Sequence, residues 1–381
     1  MDTKIEFLFL NEEDMLKAGV LDAGRCVDTV GEVMQLLSKG DCLMGGKEHN
    51  DHGVQLIFPE KSEIAGFPLA DSADRRFMAM PAYLGGRFRM AGEKWYGSNG
   101  RNTAKGLPRS ILMVPLNDIE TGQPLAYMSA NLLSAMRTRA MPGLTAQYLA
   151  RKGSKVLTML GAGVVNRTSL MAVMAKIDTI EVLKIKGSSP TSRTAKELAE
   201  FAREQYPQLR EIQVCATLEE AIRDSDIICE GVSVPVRKWP VLQPEWIKPG
   251  CLVISSGTMD LELEFIRDHM TKVVDNIHMY EEYINVYQEY DDEGKRLSMG
   301  TPGMFFVNMV TDGWIPSSDI QHLGNIIRGI DKGRTSEDER ILVSLGGMPI
   351  LDVGWGYECY HKALELGIGT KLKLWDSPFL H

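Results

Sequence analysis

The segment from Val156 to Met174, VLTMLGAGVVNRTSLMAVM, constrains the fold more than any other part of the chain. A short apolar run typical of a buried strand ends at Gly161-Ala162-Gly163, and a helix-like pattern begins directly after it. A strand that turns through Gly-x-Gly into a helix presents free backbone N–H groups and the positive end of a helix dipole. Gly161 permits the tight turn, and Gly163 lets a pyrophosphate approach the backbone, so the segment predicts a dinucleotide-binding turn.

Asn166 occupies the third fingerprint position, where its side chain is a candidate helix cap. The motif is weak by itself, because a glycine turn without a ligand has the same pattern. The sequence that follows adds strength, since strand-like and helix-like patterns alternate from Val156 onward, with a capping box at 217–220. Strand candidates begin near Val156, Ile180, Ile212, Asp226, Cys251 and Lys272, and helical patterns lie at 166–176, 191–205, 217–224 and 261–270. This alternation predicts a Rossmann-type, doubly wound α/β domain over residues 146–329.

The first part of the chain has an α+β pattern. Helical stretches at 12–18 and 23–39 precede short strand-like pieces at 76–82, 92–96, 110–117 and 123–129. The DIETG run at 118–122 predicts a hairpin between the last two pieces. The tail predicts a strand followed by a helix. The acidic, Tyr-rich stretch at 280–293 is interpreted as a surface insertion.

Charge and cysteine usage limit the partners. The formal net charge of −9 argues against a nucleic-acid surface, which needs an excess of Lys and Arg. The six cysteines are dispersed without a C-x-x-C pair, the seven histidines are scattered, and no metal site is predicted. The N-terminus lacks the pattern of a signal peptide, and no apolar segment is long enough to span a bilayer. We therefore expect a cytoplasmic protein whose partners are small molecules or copies of itself.

The second strand of the Rossmann pattern indicates the nucleotide. About 20 residues after the glycines, an NAD-binding unit offers Asp or Glu to the ribose. This chain has Lys184 and Lys186 there, followed by Ser188, Ser189 and Arg193. Such residues would hold a 2′-phosphate that an acid would repel, so NADP(H) is the predicted preference, with NAD(H) possible. The alternative is that these are solvated surface charges.

Cations lie among apolar or glycine-rich residues in the first domain. They are Lys47 in GGKEH, Lys94 in GEKWYGS and Arg137 in NLLSAMRTRAM. A mostly apolar helix carries Arg137 toward an interior, where it needs an anionic partner. Arginine suits a bidentate carboxylate contact, and the open alternative is a structural ion pair within the protein.

At these residues the sequence resembles the ornithine cyclodeaminase and mu-crystallin family. The matching pieces occur in the family's order and are KWYGSNGRNTAKGLP, LNDIETGQPLAYMSANLLSAMRTRA, LGAGVVN, GRTSEDERILVSLG and ALELGIGT. The resemblance implies that residues 1–145 plus 330–381 form one α+β substrate-binding and dimerisation domain, into which the Rossmann domain of residues 146–329 is inserted. It also implies a homodimer that binds NAD(H) or NADP(H) and acts on amino acids or their imines. It implies that Lys94 and Arg137 bind the substrate carboxylate. It also implies cofactor contacts by Thr138, Gly161, Gly163, Val164, Val165, Asn166, Gly231, Val232, Ser233, Gly257, Leu345 and Gly346.

Departures from the family pattern concern the substrate. Met78 stands where ornithine-specific enzymes have an acid for the distal amine, and Arg109 replaces a threonine. The loss of an anion and gain of a cation predict a second acidic group on the substrate. Lys47 matches a family arginine approximately. Asp260 matches the catalytic carboxylate, and the alternative is that it caps a helix beginning at Leu261.

The function expected from this resemblance is an NAD(P)H-dependent oxidoreductase acting on CH–NH2 or C=N bonds, as an imine reductase or an amino-acid or opine-type dehydrogenase. Lys94 and Asp260 are the candidate catalytic residues. One alternative is a cyclodeaminase with recycled bound NAD that releases ammonia. Another is a nucleotide-binding protein with little turnover.

Overall fold

The computed structural model describes residues 3–72, 74–232, 234, 238–286 and 300–380. The chain divides into two compact units. Unit 1 comprises Met1–Asp22, Lys39–Thr138 and Gly347–His381, and unit 2 comprises Ala23–Ser38 and Arg139–Gly346.

Unit 1 is built on one eight-stranded sheet. Its main path runs β16-β1-β7-β6-β5-β4-β2, and β3 pairs with β4. The strands are β1 (Ile5–Leu10), β2 (Cys42–Met44), β3 (Val54–Ile57), β4 (Arg76–Leu84), β5 (Met90–Ser98), β6 (Ser110–Asp118), β7 (Pro124–Ser129) and β16 (Thr370–Trp375). From Met78 in β4 and from Lys94 in β5, buried residues alternate with more accessible ones, as expected of a sheet with one face on the core.

The β6–β7 hairpin forms as the DIETG run predicts. Gly122 donates its backbone N–H to the carbonyl of Asp118 at 2.9 Å, and the Asp118 side chain accepts from the backbone N–H of Thr121 at 2.8 Å. Against this sheet packs the long C-terminal helix Pro349–Leu366. A Cβ on Gly92 of β5 would lie 3.2 Å from Val353 of that helix, which shows how closely the layers approach.

Unit 2 contains an eight-stranded sheet in which every paired strand is parallel. The order is β10-β9-β8-β11-β12-β15-β13-β14. The strands are β8 (Val156–Leu160), β9 (Val182–Lys186), β10 (Glu211–Val214), β11 (Ile227–Glu230), β12 (Leu252–Ser255), β13 (Met270–Val274), β14 (Ile320–His322) and β15 (Arg340–Ser344). Because both faces are covered, β11 and β12 are buried throughout. The predicted Rossmann-type fold class is confirmed.

Among the described residues the α-helices are, in chain order, α1 (Glu12–Lys17), α2 (Ala23–Lys39), α3 (Asn131–Leu149), α4 (Val164–Met174), α5 (Arg193–Gln205), α6 (Leu218–Ile222), α7 (Leu263–His269), α8 (Ile277–Val286), α9 (Pro302–Thr311), α10 (Leu323–Ile327) and α11 (Pro349–Leu366). The predicted capping box closes the start of α6, where Thr217 accepts from the backbone N–H of Glu220 at 3.1 Å. The predicted surface insertion was expected to begin at Tyr280, and this is wrong, because Tyr280 lies within α8 and only 1% of its surface is exposed. Residues 287–293 of that stretch lie outside the described residues.

The predicted domain boundaries differ from the observed division at α2 and at β15. Helix α2 belongs to unit 2, where a Cβ on Gly31 would lie 3.2 Å from Leu144 and Ser38 bonds Asn325 at 2.6 Å. The tail strand predicted for the α+β domain is β15, which pairs with β12 and β13 inside the parallel sheet. Its apolar pattern fits either sheet, so pairing with distant strands decides where it lies.

Candidate functional site

The glycine turn of unit 2 has the predicted conformation. Gly161 follows β8 with φ +94°, a value that L residues with a side chain rarely adopt. Gly163 is the N-cap of α4 and supplies no side-chain cap, and nothing lies within 4 Å of where its Cβ would be. No side chain therefore caps the start of α4, and the space at Gly163 is open beside the positive end of the helix dipole, which is the arrangement that binds phosphate.

Asn166 holds the turn together and does not cap α4. It is 1% exposed, and its Nδ2 donates to the carbonyls of Leu160 at 2.6 Å and Gly161 at 2.9 Å. A Cβ on Gly231 would lie 2.3 Å from its Oδ1, so the loop after β11 also approaches it closely. The predicted cap is wrong, because this side chain points back into the turn and leaves the helix N–H groups uncovered.

A pocket of about 470 Å³ opens beside this turn, and we call it the glycine pocket. It brings together six residues predicted to bind the cofactor: Gly161, Gly163, Lys186, Ser188, Gly231 and Val232. Sequence reasoning missed Thr194 and Lys238, which also line it. Lys238 lies far along the chain from the glycine motif, so no local pattern indicates it.

Other residues predicted for the 2′-phosphate do not line this pocket. Lys184 donates to the carbonyls of Glu220 at 3.1 Å and Arg223 at 2.7 Å, so its ammonium faces the end of α6. Arg193 is exposed and lies 3.4 Å from Glu197. Ser189 Oγ lies 3.3 Å from Thr191 Oγ1. Lys184 and Lys186 share one face of β9, but Lys186 is the last residue of the strand and lines the pocket, whereas Lys184 lies two residues earlier, where its ammonium reaches the carbonyls at the end of α6.

The remaining predicted cofactor residues are placed as follows. Val164 and Val165 form the first turn of α4, Leu345 is 4% exposed, and Thr138 donates its hydroxyl to the carbonyl of Ser134 at 2.7 Å. Ser233 lies outside the described residues. Gly257 and Gly346 each donate a backbone N–H to a buried carboxylate, that of Glu230 and that of Asp275 respectively. The sequence analysis did not identify either acid.

Glu230 and Asp275 are those carboxylates, at the ends of β11 and β13. Gly257 donates to Glu230 Oε2 at 3.1 Å, and Gly346 donates to Asp275 Oδ2 at 2.7 Å. Burial raises the pKa of Glu230 to about 7 and that of Asp275 to about 6, while their hydrogen bonds oppose the shift. An acid at the end of an apolar strand was the available signal in the sequence.

Unit 1 contains a buried set of charges that we call the cation cluster: Lys94 of β5, Arg137 of α3 and Asp352 of α11. Arg137 Nε donates to Asp352 Oδ1 at 2.9 Å, and Arg137 Nη2 lies 2.7 Å from Asp352 Oδ2. Lys94 Nζ lies 3.6 Å from the same Oδ2. Their side chains are 7% exposed or less. Asp352 was missed, although a lone acid in PILDVGWGY was a visible signal.

Positive charge exceeds negative charge in the cation cluster. One carboxylate faces two cations, and Arg137 Nη1 has no hydrogen-bond partner among the described residues. Burial lowers the pKa of Lys94 to about 8, Arg137 acts in the same direction, and Asp352 opposes the shift. A buried surplus of positive charge with an unused guanidinium nitrogen is suited to a small anion such as a carboxylate.

His52, one of the scattered histidines, also faces this cluster, which the sequence did not indicate. Loss of solvation lowers the pKa of His52 to about 3, with further lowering by Lys94 and Arg137. The imidazole is therefore neutral at physiological pH. It adds hydrogen-bonding capacity to the cluster without adding charge.

A second set of charges surrounds Asp74. Its carboxylate pairs with Arg76 Nη1 at 2.5 Å and Arg109 Nη2 at 2.8 Å, and it accepts from Ser98 Oγ at 2.6 Å. Arg76 Nη2 donates to the hydroxyl of Tyr96 at 3.3 Å, and Lys94 Nζ lies 5.6 Å from the centre of the Tyr96 ring. Tyr96 therefore lies between the two sets.

Two further predicted residues, Met78 and Lys47, lie beside or outside these charges. Met78 is 2% exposed and accepts a hydrogen bond from the Tyr96 hydroxyl at 3.0 Å. The side chain of Lys47 is 94% exposed and 3.8 Å from Glu48, so the structure does not place it in the cation cluster. Its position is a correction, and the physical reason is that its loop turns the side chain to solvent.

Asp260 follows β12 in unit 2. Its backbone N–H donates to the carbonyl of Pro240 at 2.8 Å, and its carbonyl accepts from Leu242 at 2.9 Å. It does not cap a helix, because α7 begins at Leu263 with Glu262 at the N-cap. The helix-cap alternative is therefore wrong.

Within the described residues, no group of three or more His, Cys, Asp or Glu side chains is arranged to hold a metal ion. None of the helices in the described part of the chain has the length and apolarity needed to cross a membrane.

Comparison with known proteins adds specific relatives. The chain is 28% identical over 97% of its length to N-((2S)-2-amino-2-carboxyethyl)-L-glutamate dehydrogenase of Staphylococcus aureus, of which it covers 99%. Two solved structures share its fold with a TM-score of 0.75 and 27% identity: an archaeal alanine dehydrogenase dimer with bound NAD, and Delta(1)-pyrroline-2-carboxylate reductase of Thermococcus litoralis with NADH and L-proline. The chain covers 100% of the first and 99% of the second, over 97% and 96% of its own length.

The sequence profile of one family matches nearly the whole chain, residues 23–367. This match agrees with the resemblance found from the sequence motifs. The protein therefore belongs to the ornithine cyclodeaminase/mu-crystallin family.

Proposed function

We propose that the protein is an NAD(P)H-dependent oxidoreductase that acts on an amino acid or its imine, at a CH–NH2 or C=N bond. The observation that carries this proposal is the surplus of buried positive charge at Lys94 and Arg137, which a substrate carboxylate would neutralise. The glycine pocket of unit 2 supplies the second requirement, a phosphate-binding turn. The relatives named as amino-acid dehydrogenases and an imino-acid reductase give independent support.

The residues of unit 2 fit a nicotinamide nucleotide. The uncapped N–H groups at the start of α4 and the open space at Gly163 would accept its diphosphate. When bound, the nucleotide supplies the hydride chemistry. The protein contributes binding, orientation and proton transfer.

In unit 1 the hydrogen bond that Arg137 Nε donates to Asp352 Oδ1, together with the ion pair between Nη2 and Oδ2, orients the guanidinium and leaves Nη1 for the substrate. Lys94 adds a second contact to the same carboxylate group. This arrangement holds the substrate by its acid end, so that the adjacent carbon has a defined orientation. We assign the proton transfer to Lys94, Asp260 or water.

One assay separates this function from its alternatives. Purified protein is incubated with NADPH or NADH and a panel of cyclic imines or 2-oxo acids plus amines, and then with NAD+ or NADP+ and amino acids. An oxidoreductase changes the absorbance of the reduced nicotinamide. Ammonia release from a diamino acid without that change indicates a cyclodeaminase, and tight binding with neither change indicates a binding protein; either result contradicts the proposal.

The proposed preference for NADP(H) is supported by Lys186 and Ser188, which line the glycine pocket. The test compares dissociation constants for NADPH and NADH by fluorescence titration. Lys186→Ala should lower the preference for NADPH roughly tenfold, since one cation near a phosphate is removed. Lys184→Met is the matched control, because Lys184 faces α6 and should leave the ratio unchanged. Tighter binding of NADH by the unaltered protein would contradict the preference.

We also propose that the substrate carries a second acidic group. Asp74 pairs with two cations, Arg76 and Arg109, so this set too has a surplus of positive charge. Replacing Arg76 or Arg109 by Leu should lower kcat/KM for a dicarboxylic substrate at least tenfold more than for a neutral one. Arg101→Leu is the control, because Arg101 pairs with Asp71 instead. Equal losses on both substrates would remove this argument.

The proposed oligomer is a homodimer. Strand β3 exposes Val54 (65%), Leu56 (52%) and Ile57 (67%), an apolar edge that a partner subunit would cover. The related alanine dehydrogenase structure is described as a dimer. Light scattering after gel filtration should give twice the chain mass of 42.4 kDa.

A cytoplasmic location is proposed from the six free cysteines, and fractionation of the source cells tests it.

A further inference from the structure

Glu230 lies at a junction of unit 2 that the proposed reaction does not use. Its side chain ends β11 and is buried, with 1% of the residue exposed. Oε1 accepts from the backbone N–H of Val232 at 2.6 Å, and Oε2 accepts from Ser255 Oγ at 2.7 Å and from the backbone N–H of Gly257 at 3.1 Å. One carboxylate therefore ties the loop after β11 to the loop after β12.

The space around this carboxylate is closely filled. A Cβ on Gly257 would lie 2.5 Å from the carbonyl oxygen of Val232 and 2.7 Å from Glu230 Oε1. A Cβ on Gly231 would lie 2.3 Å from Asn166 Oδ1. Gly231 thus lies close to Asn166 and Val232 lies close to Gly257, and both Gly231 and Val232 line the glycine pocket.

The ionised form of Glu230 matches this environment. The neighbouring groups, two backbone N–H groups and a hydroxyl, all donate to it. A protonated carboxyl must itself donate from one oxygen: a proton on Oε1 would face the Val232 N–H, and a proton on Oε2 would require the Ser255 hydroxyl to stop donating and accept instead. Burial raises the pKa of Glu230 to about 7. Two other ionisable groups interact with it: the positive charge of Arg139 lowers the pKa of Glu230, and the charge of Glu230 raises the pKa of the Cys229 thiol.

We propose that Glu230 is a positioning residue whose ionised carboxylate fixes the Gly231–Val232 wall of the glycine pocket, so that nucleotide binding tightens as this carboxyl loses its proton. This inference rests on the proposed nucleotide site. Glu230 acts through the backbone and does not touch the reacting atoms.

The binding test uses NAD+ as the probe between about pH 5.8 and 8.5. NAD+ is chosen because a 2′-phosphate, like other phosphate monoesters with a second pKa near 6, would itself titrate in this range. Calorimetric titration of the unaltered protein should give a dissociation constant that falls roughly threefold to tenfold as the pH rises through about 7, the effect of one hydrogen bond. Glu230→Gln should bind weakly and equally at every pH. Ser255→Ala should keep the pH step but move it upward, because the Ser255 hydroxyl lowers the pKa of Glu230.

A second measurement tests the same device without nucleotide. Amide hydrogen exchange in the free protein, corrected for intrinsic rates, should show Val232 and Gly257 losing protection as the pH falls below about 7, and Glu230→Gln should abolish this dependence. A flat protection profile in the unaltered protein overturns the inference even if NAD+ binds. If the protection of Val232 and Gly257 depends on pH but NAD+ does not bind, the hydrogen bonds to Glu230 respond to pH as proposed. Their role in nucleotide binding is then overturned, together with the proposed function.

Discussion

The cation cluster of unit 1 and the glycine pocket of unit 2 both suit anions, but they are built from different groups. In unit 1 the attraction comes from the side chains of Lys94 and Arg137, and Asp352 balances part of their charge. In unit 2 it comes mainly from backbone N–H groups at a helix start, with Lys186 and Lys238 at the pocket wall. Anion binding by buried charged side chains depends on how those charges are paired, whereas anion binding by backbone N–H groups depends on the conformation of the backbone.

The buried carboxylates of the two units also differ in the groups that hold them. Asp352 is held by two cations, while Glu230 and Asp275 are held by N–H and hydroxyl donors. Neutral donors offset burial less than a cation does, and the pKa values of Glu230 and Asp275 are raised to about 7 and about 6. The comparison makes four predictions, taken from the largest effect to the smallest.

Arg137→Leu should have the largest effect. It leaves Asp352 buried with Lys94 alone, and breaking a buried pair in this way typically costs about 3–5 kcal/mol. Urea unfolding measures this loss, and kcat/KM should fall at least a hundredfold because the substrate contact is also removed. The double variant Arg137→Leu with Asp352→Leu should recover much of the stability but none of the activity. Recovery of activity would contradict the role of Arg137.

Glu230→Gln should increase stability at pH 8 while it weakens nucleotide binding. The folded pKa of Glu230, about 7, is raised from 4.5, so its ionisation costs stability as the pH rises from about 4.5 to 7, and the full cost is present above 7. A shift of this size corresponds to about 3 kcal/mol as an upper limit. The gain should vanish near pH 4, where both proteins are neutral at this position. Thermal unfolding at both pH values checks it.

Substitutions of Gly161 and Gly163 should separate the need for a special backbone conformation in the turn from the need for open space for the nucleotide. Gly161→Ala should destabilise the protein by about 1–3 kcal/mol, because φ is +94° and the new Cβ would lie 3.2 Å from the carbonyl oxygen of Gly231. Gly163→Ala has φ −77° and open space, so stability should be unchanged while nucleotide affinity falls. Unfolding and nucleotide titration are measured on both variants. Unchanged affinity in Gly163→Ala would argue against phosphate binding at this turn.

The smallest expected effect is a pH dependence of substrate binding set by Lys94. Since burial lowers its pKa to about 8, the affinity for a carboxylate should decline as the pH rises above 8 and the ammonium loses its proton. A 2-hydroxy acid analogue avoids titration of the substrate amine. Lys94→Met should bind weakly with a flat profile, and Lys47→Met should retain the profile of the unaltered protein because Lys47 is exposed.

The parallel sheet of unit 2 was largely predictable from local patterns. The βα alternation, the glycine turn, the capping box at Thr217 and the DIETG hairpin of unit 1 each depend on a few neighbouring residues. Strand β15 and helix α2 were assigned to the other domain, because an apolar strand or amphipathic helix does not specify its partner. Lys184 was expected at the nucleotide but faces α6, because it lies two residues before the end of β9 and its ammonium bonds carbonyls that are distant in the sequence.

The amino-acid order alone specified the positions where the backbone must turn, cap or alternate, and it located Lys94 and Arg137 as cations in apolar surroundings. It could not identify Asp352, which is 215 residues from Arg137 and becomes its partner through the packing of α11. Nor could it show that Glu230 joins two loops or that His52 is neutral beside two cations. Local conformation depends on neighbouring residues, whereas charge balance depends on which distant side chains share a buried volume, and folding decides that.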